Sequence, residues 1–275
     1  IFMKYLIACD LDGSLLNLHG KLTQKSILVL NRLRQDGHLV VLATGRPYEG
    51  AISKYDEIGL DTPLITDNGG SIENPANPSF AKQKTYLPLP IAKKLFLNTK
   101  KYIISAFFSD NKVVYAYKYD KKLEEYFNGM NSEHVIECEF TDLTIEPSGL
   151  VYLINHKHMR KLENYVDKEF GETLSYRLWG IDNGYALYEI YLKHVSKSSA
   201  LSYLLDYYSM KKEQLIAFGD GINDIEMIRD AHLGVAMKNG LDELKSVSKD
   251  ITKYSHDEDG IANYLIEYFQ LEEFK

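Results

Sequence analysis

Two aspartates one residue apart, Asp10 and Asp12, close the first apolar run of the chain, Tyr5-Leu6-Ile7-Ala8-Cys9. Five mostly apolar residues of strand-forming character read as a buried parallel strand. Carboxylates at the end of such a strand are costly to hold together without compensation. The carboxyl ends of strands are also where open α/β sheets place their ligand crevice, so a divalent cation is the natural compensation. Gly13 lets the backbone turn sharply away, and Ser14 follows with a hydroxyl. Such a site suits phosphoryl chemistry on an aspartate. On its own, an Asp-x-Asp-Gly string is a turn or a helix start, so the reading needs further segments.

Three segments supply that support. Leu39 to Ala43 is a second apolar run, ending in Thr44-Gly45-Arg46. The Thr44 hydroxyl and N–H can meet a phosphate oxygen, and Gly45 admits close backbone approach. The plainer alternative is a strand-to-helix turn with Thr44 near an N-cap. Leu215 to Phe218 is a third run, followed by Gly219-Asp220-Gly221-Ile222-Asn223-Asp224 and a helix expected over Ile222–Asp230. Asp220 between two glycines is hard to explain as packing, whereas Asn223 or Asp224 could cap that helix. Lys197, in Ser196-Lys197-Ser198-Ser199, opposes the macrodipole at a helix start. It is either a surface lysine or the partner of an anion gathered by the other segments.

In this order the segments resemble the motifs of the haloacid dehalogenase superfamily, specifically its Cof-type phosphatases with a large α/β cap (subfamily IIB). Asp10-Leu11-Asp12-Gly13-Ser14 looks like motif I, Thr44-Gly45-Arg46 like motif II, Lys197 like motif III, and Gly219-Asp220-Gly221-Ile222-Asn223-Asp224 like motif IV. Asn68-Gly69-Gly70 and Asp259-Gly260-Ile261-Ala262 agree, and the match spans nearly the whole chain. Ser14 stands where the family usually has Thr. Around Lys197, Leu192, His194 and Ser198 replace the usual proline and two glycines.

The resemblance implies a Mg2+-dependent phosphatase of small phosphomonoesters, sugar phosphates or related metabolites. Asp10 would be the nucleophile, forming an aspartyl-phosphate. Asp12 would be the general acid–base, which requires the two aspartates to hold different protonation states. Mg2+ would lie on Asp10, the main-chain carbonyl of Asp12 and Asp220, with Asp224 and Asn223 orienting that shell. Leu11 N–H, Thr44, Gly45 N–H, Lys197 and Asn223 would meet the phosphoryl oxygens. Arg46 and Asn68 lie on core loops and are candidate substrate contacts, or else a surface charge and a turn residue. A phosphomutase of the phosphomannomutase type is the alternative. A sugar-phosphate-binding regulatory protein with a vestigial site ranks behind it, because every nucleophile and metal position is filled.

The elements that must position these residues alternate. A strand at about 3–9, a helix at about 23–36, a strand at about 38–43, a helix at about 47–57 and a strand at about 63–66 form a βαβαβ rhythm, the mark of a doubly wound parallel sheet. Pro75, Pro78, Pro88 and Pro90 then interrupt it. Strands are expected at Ile103–Phe108, Val113–Lys118, Leu150–Asn155, Leu174–Leu178 and Ala186–Tyr191, with helices at 90–100, 120–129 and 158–170. The expected fold is a Rossmann-like α/β core, 1–82 and 189–275, carrying an inserted α/β domain at 83–188. This insertion lies between Thr44 and Lys197, where the Cof-type family places its cap. The resemblance implies that the cap closes over the site and sets the substrate. Trp179, the single tryptophan, is assigned to the cap's own core rather than to a stacking surface.

A chain of 275 residues has room for two domains. A net charge of −7 offers no electrostatic footprint for nucleic acid. Cys9 and Cys138 stand far apart, so no disulfide scaffold is indicated. No run approaches the ~18 apolar residues of a membrane span, and no signal-peptide pattern is present. The expected location is cytoplasmic. A small phosphorylated metabolite is the expected partner, and no protein partner is predicted.

Overall fold

β1 (Leu6–Cys9) is buried along its whole length, as an apolar strand covered on both faces must be. α1 (Gln24–Gln35) follows, started by Thr23, whose hydroxyl accepts the Ser26 N–H. β2 (Leu39–Leu42), α2 (Tyr48–Ile58) and the hairpin of β3 (Leu64–Thr66) and β4 (Ser71–Glu73) come next. Beyond β5 (Gln83–Lys84) lie α3 (Leu89–Thr99), β6 (Ile103–Asp110), β7 (Val113–Tyr117), β8 (Val135–Glu137) and β9 (Gly149–Asn155). α4 (Met159–Phe170), β10 (Leu174–Asp182) and β11 (Tyr185–Leu192) follow these. The last stretch holds α5 (Lys197–Tyr207), β12 (Leu215–Gly219), α6 (Ile225–Asp230), β13 (Leu233–Ala236), α7 (Asp242–Val247), β14 (Asp250–Ile251) and α8 (Gly260–Phe269). This computed structural model describes residues 3–110, 113–120 and 135–274.

The chain divides into two units, Ile1–Gln83 with Ser196–Lys275, and Lys84–Val195. In the first, five parallel strands run in the order β14-β13-β12-β1-β2. Alternation along β1 serves both faces. Ile7 and Cys9 pack with Val29, Leu33, Tyr55 and Leu265 of α1, α2 and α8, while Leu6 and Ala8 pack with Leu201, Leu204, Ile228 and Leu244 of α5, α6 and α7. Each aliphatic side chain so buried contributes about 1.5–3 kcal/mol of transfer free energy. This is the doubly wound α/β core that the strand–helix rhythm predicts. Its loops at the carboxyl ends of β1, β2 and β12 carry Asp10, Thr44 and Asp220. The helix expected over Ile222–Asp230 is split into a 3-10 turn, Ile222–Asp224, and α6.

In the second unit a six-stranded sheet runs β10-β11-β9-β6-β7-β8, antiparallel except where β8 joins β7. Leu95 and Phe96 of α3 and Leu162 and Val166 of α4 pack on Tyr152, Tyr188 and Ile190 of the sheet. β11 stays hydrogen-bonded in this sheet to Leu192, and Val195 packs in the same core, so the unit extends beyond residue 188. β10 likewise passes Leu178 and continues to Asp182 through a register shift between Leu178 and Gly180. Trp179 falls at that irregularity. It is 41% exposed, with Nε1 donating to Glu189 Oε2 at 3.1 Å, so it is not the core residue that the sequence suggested. Of the helix expected at 120–129, residues 121–129 lie outside the described residues.

Candidate active site

At the end of β1 the Asp10 N–H donates to Phe218 O on β12, holding the strand tip against its neighbour. A wide coil follows, in which Leu15 N and Leu16 N reach back to the carbonyls of Asp10 and Leu11. Gly13 makes it feasible, with φ +75° and no side chain: a Cβ there would lie 2.2 Å from Asp220 Oδ2. Gly13→Ala is therefore expected to lower stability by at least about 1–2 kcal/mol from the left-handed backbone alone, and to push Asp220 aside. Urea denaturation checks this; an unchanged midpoint would show that the turn relaxes at no cost.

The centre of the site is Lys197. Ser196 and Ser199 cap α5 reciprocally, each hydroxyl meeting the other's backbone N–H, and this fixes the first residue of the helix. The Lys197 side chain is fully buried, with Nζ 2.5 Å from Asp10 Oδ1 and 2.6 Å from Asp224 Oδ1. The remaining Asp224 oxygen accepts the N–H groups of Asp220 and Gly221, each at 3.0 Å. Ser14 Oγ donates to Asp220 Oδ1 at 3.0 Å. Carboxylate oxygens of Asp10, Asp220 and Asp224 thus lie within 4.8 Å of one another.

Three clustered carboxylates with one ammonium, paired to two of them, leave the cluster short of positive charge. Burial pushes the Asp10 carboxyl well above the usual range, with Asp224 and Asp220 adding to the shift and Lys197 opposing it. Burial and the Asp224 charge push Asp220 up to about 6. Burial by itself would lower Lys197, yet the Asp10 and Asp224 carboxylates outweigh it, so the ammonium holds its proton more tightly than an ordinary lysine. If all four groups ionise, the cluster carries an excess of two negative charges. Hard carboxylate oxygens with that excess fit an oxygen-seeking divalent cation such as Mg2+.

Motif II arrives from β2. The Thr44 N–H is taken by Ile65 O at 3.0 Å, so it is not offered to a ligand as the sequence suggested. The Thr44 hydroxyl accepts the Arg46 N–H at 3.1 Å and keeps its own proton to donate. Gly45 has no Cβ, which would stand 2.9 Å from Asn68 Oδ1 and 3.4 Å from Asn223 Nδ2. Asn68, buried at φ +54°, accepts from Asn223 Nδ2 at 2.9 Å, bringing together residues from β3's turn and from motif IV. Leu11 is buried at the first position of the coil.

Arg46 is engaged in a way the sequence did not indicate. Its Nε and Nη2 grip the two oxygens of Asp12 at 2.7 and 2.6 Å, and Nη1 reaches Gly50 O at 2.9 Å. The Asp12 hydrogen bonds hold Arg46 more firmly protonated than usual, against the opposing effect of burial. Asp12 is not among the carboxylates that gather within 4.8 Å of one another. Nothing in the spacing of residues 12 and 46 announces this bidentate pair, nor the bond from Ser14 to Asp220. Both depend on which loops the sheet order makes neighbours.

A family model for haloacid dehalogenase-like hydrolases matches residues 7–265. The 5-amino-6-(5-phospho-D-ribitylamino)uracil phosphatase YitU of Bacillus subtilis (strain 168) is 32% identical over 272 residues, covering 97% of this chain and 98% of that protein. The HMP-PP phosphatase of Serratia proteamaculans (strain 568) is 26% identical, covering 96% of this chain and 94% of that one. Among solved structures, a haloacid dehalogenase-like hydrolase from Bacteroides thetaiotaomicron superposes with a TM-score of 0.80 at 26% identity, covering 97% of this chain and 100% of its own.

Proposed function

The chain belongs to the haloacid dehalogenase-like hydrolases, and from that premise we propose that it is a Mg2+-dependent phosphatase of small phosphomonoesters, acting through an aspartyl-phosphate on Asp10. The observation that carries this is the cluster of the Asp10, Asp220 and Asp224 carboxylates, of which Asp10 and Asp224 pair with one buried ammonium, Lys197. Asp10, Asp220 and the Asp12 carbonyl would hold the cation, while Asp224, with both oxygens committed to Lys197 and two N–H groups, would orient them. When bound, the cation neutralises phosphate charge that would otherwise repel a carboxylate nucleophile.

In the first step an Asp10 oxygen would form a bond to phosphorus as the ester oxygen leaves with a proton from Asp12, which must first come free of Arg46 and take up that proton. In the second, Asp12 takes a proton from water, whose oxygen bonds to phosphorus while the Asp10–phosphorus bond breaks. Lys197, the Thr44 hydroxyl, Asn223 and the N–H groups of Leu11 and Gly45 would steady the phosphoryl oxygens. Positioning and charge stabilisation carry most of the catalysis in such transfers. Asn68 is best read as orienting Asn223, and Arg46 as holding Asp12. The unit Lys84–Val195 would select the leaving group as a cap. The names of the relatives support a small phosphorylated metabolite as substrate. No helix among the described residues is long and apolar enough to cross a membrane.

Phosphate release from p-nitrophenyl phosphate with and without Mg2+ tests the reading, and hydrolysis that ignores chelation of the metal would overturn it. A pH dependence accompanies it. A carboxyl raised in the folded state binds more protons than it does unfolded, so its contribution to stability is greatest at low pH and is lost as pH rises through the folded value. For Asp220 that window runs from the ordinary carboxylate range up to about 6. Mg2+ relieves the loss by replacing protons. It should add about 2.7 kcal/mol when present at roughly 100 times its Kd at neutral pH, and clearly less once the pH falls below the Asp220 value. Calorimetric melts with and without Mg2+ measure the increment. An increment independent of pH would mean that these carboxyls do not bind the ion.

A further inference from the structure

Beyond β13 the chain reads Met237-Lys238-Asn239-Gly240, a segment outside the four motifs. Parallel pairing sets the ends of β1, β12 and β13 side by side, so this loop emerges next to both acidic loops. Its backbone reaches Asp220, whose carbonyl accepts the Leu241 N–H at 2.9 Å. Its side chain reaches the other one: Asn239 Nδ2 donates to Gly13 O at 2.8 Å. The opposite end of the same amide, Oδ1, accepts the His256 N–H at 2.9 Å. A carbonyl at one end and an N–H at the other permit only one orientation of the amide. His256 is itself fastened to the coil after β1, through Nδ1 to Leu16 O at 2.8 Å, and Asp257 Oδ1 accepts the Leu18 N–H at 3.1 Å.

We propose that Asn239 is a positioning residue of the metal site, locking the Asp12-Gly13-Ser14 turn in register with Asp220. The inference rests on the metal reading given above. The Gly13 carbonyl adjoins the Asp12 peptide on one side, and on the other precedes Ser14, whose hydroxyl holds Asp220. Freedom at Gly13 O thus moves the Asp12 carbonyl and the Asp220 carboxylate relative to each other. A glycine at φ +75° lets the turn drift easily, so an external tether is needed. Because Asn239 is exposed and its loop backbone is held independently by Met237 N to Gly219 O, its loss should loosen the turn without unfolding the chain.

Isothermal titration of the full chain with Mg2+, in the absence of substrate, tests this in Asn239→Ala and Asn239→Leu. Both are expected to bind Mg2+ about 10- to 100-fold more weakly, the usual cost of losing a partner behind the metal ligands. Their metal-free melting temperatures should stay close to native, and kcat should recover at saturating Mg2+. Lys238→Ala, on the same loop, should bind as the native chain does. Native affinity in both Asn239 variants overturns the proposal alone, as does a loss of kcat that saturating Mg2+ fails to restore. A native chain that binds no Mg2+ overturns both this inference and the metal reading beneath it.

Discussion

Asp10→Asn should abolish phosphate release, a loss of roughly 10^4- to 10^6-fold by comparison with removing one member of a covalent catalytic unit. An amide in place of the carboxylate keeps the shape and removes the attacking anion. The fold should not suffer. Lys197 keeps Asp224 at 2.6 Å, and the variant has one buried negative charge fewer in a cluster that already disfavours ionisation of Asp10. The metal-free variant is therefore expected to melt at or above the native temperature at neutral pH. Hydrolysis of p-nitrophenyl phosphate and a thermal melt on the same preparation measure both halves. Native-like turnover would remove Asp10 from the nucleophile's role, and a lowered melting temperature would show that its charge is a net structural asset.

Lys197→Met should cost more stability than any other single change in the site. Methionine fills a comparable volume, so the substitution isolates the charge from the packing. It leaves Asp10 and Asp224 buried without their shared counter-charge. Breaking a buried pair from one side costs about 3–5 kcal/mol, equivalent to roughly 6–20 °C in melting temperature for a domain of this size. Activity should vanish as well. The double variant Lys197→Met/Asp10→Asn should recover part of the stability, because the second change removes one of the stranded charges. Metal-free melts of the single and double variants decide it. If Lys197→Met melts like the native protein, the aspartates are already neutral in the fold and the lysine holds nothing together.

Much of this was legible in the chain. The apolar runs ending at Asp10, Thr44 and Asp220 located three neighbouring strand ends, because a strand buried on both faces must be apolar throughout. Lys197 stood out as a cation at a helix start. The sequence was weaker wherever a side chain's partner comes from a different loop. Arg46 stood as a candidate substrate contact or a surface charge, and its grip on Asp12, which depends on the order of β1 and β2 in the sheet, was not visible. Thr44's N–H looked available, yet β3 lies alongside and takes it through Ile65. Trp179 was assigned to the cap's own core rather than to a stacking surface, yet it is exposed at a register shift in β10. Asn239 carried no local signal, since its two partners lie 226 and 17 residues away.

The order of the chain has a consequence for its birth on the ribosome. β1 pairs residue by residue with β12, from Leu6 against Leu215 to Cys9 against Phe218. At about 5–20 residues per second of synthesis, the first strand waits roughly 10–40 s for that neighbour. Meanwhile Lys84–Val195 is an unbroken stretch, and its strands can pair as they emerge. The described strands of the insert therefore all emerge while Leu6-Ile7-Ala8-Cys9 still lacks its β12 neighbour and keeps an open apolar edge, the kind of surface that chaperones shield. Asp220 and Asp224 emerge only after that wait, so a polypeptide stalled before β12 lacks two of the three carboxylates gathered near Lys197.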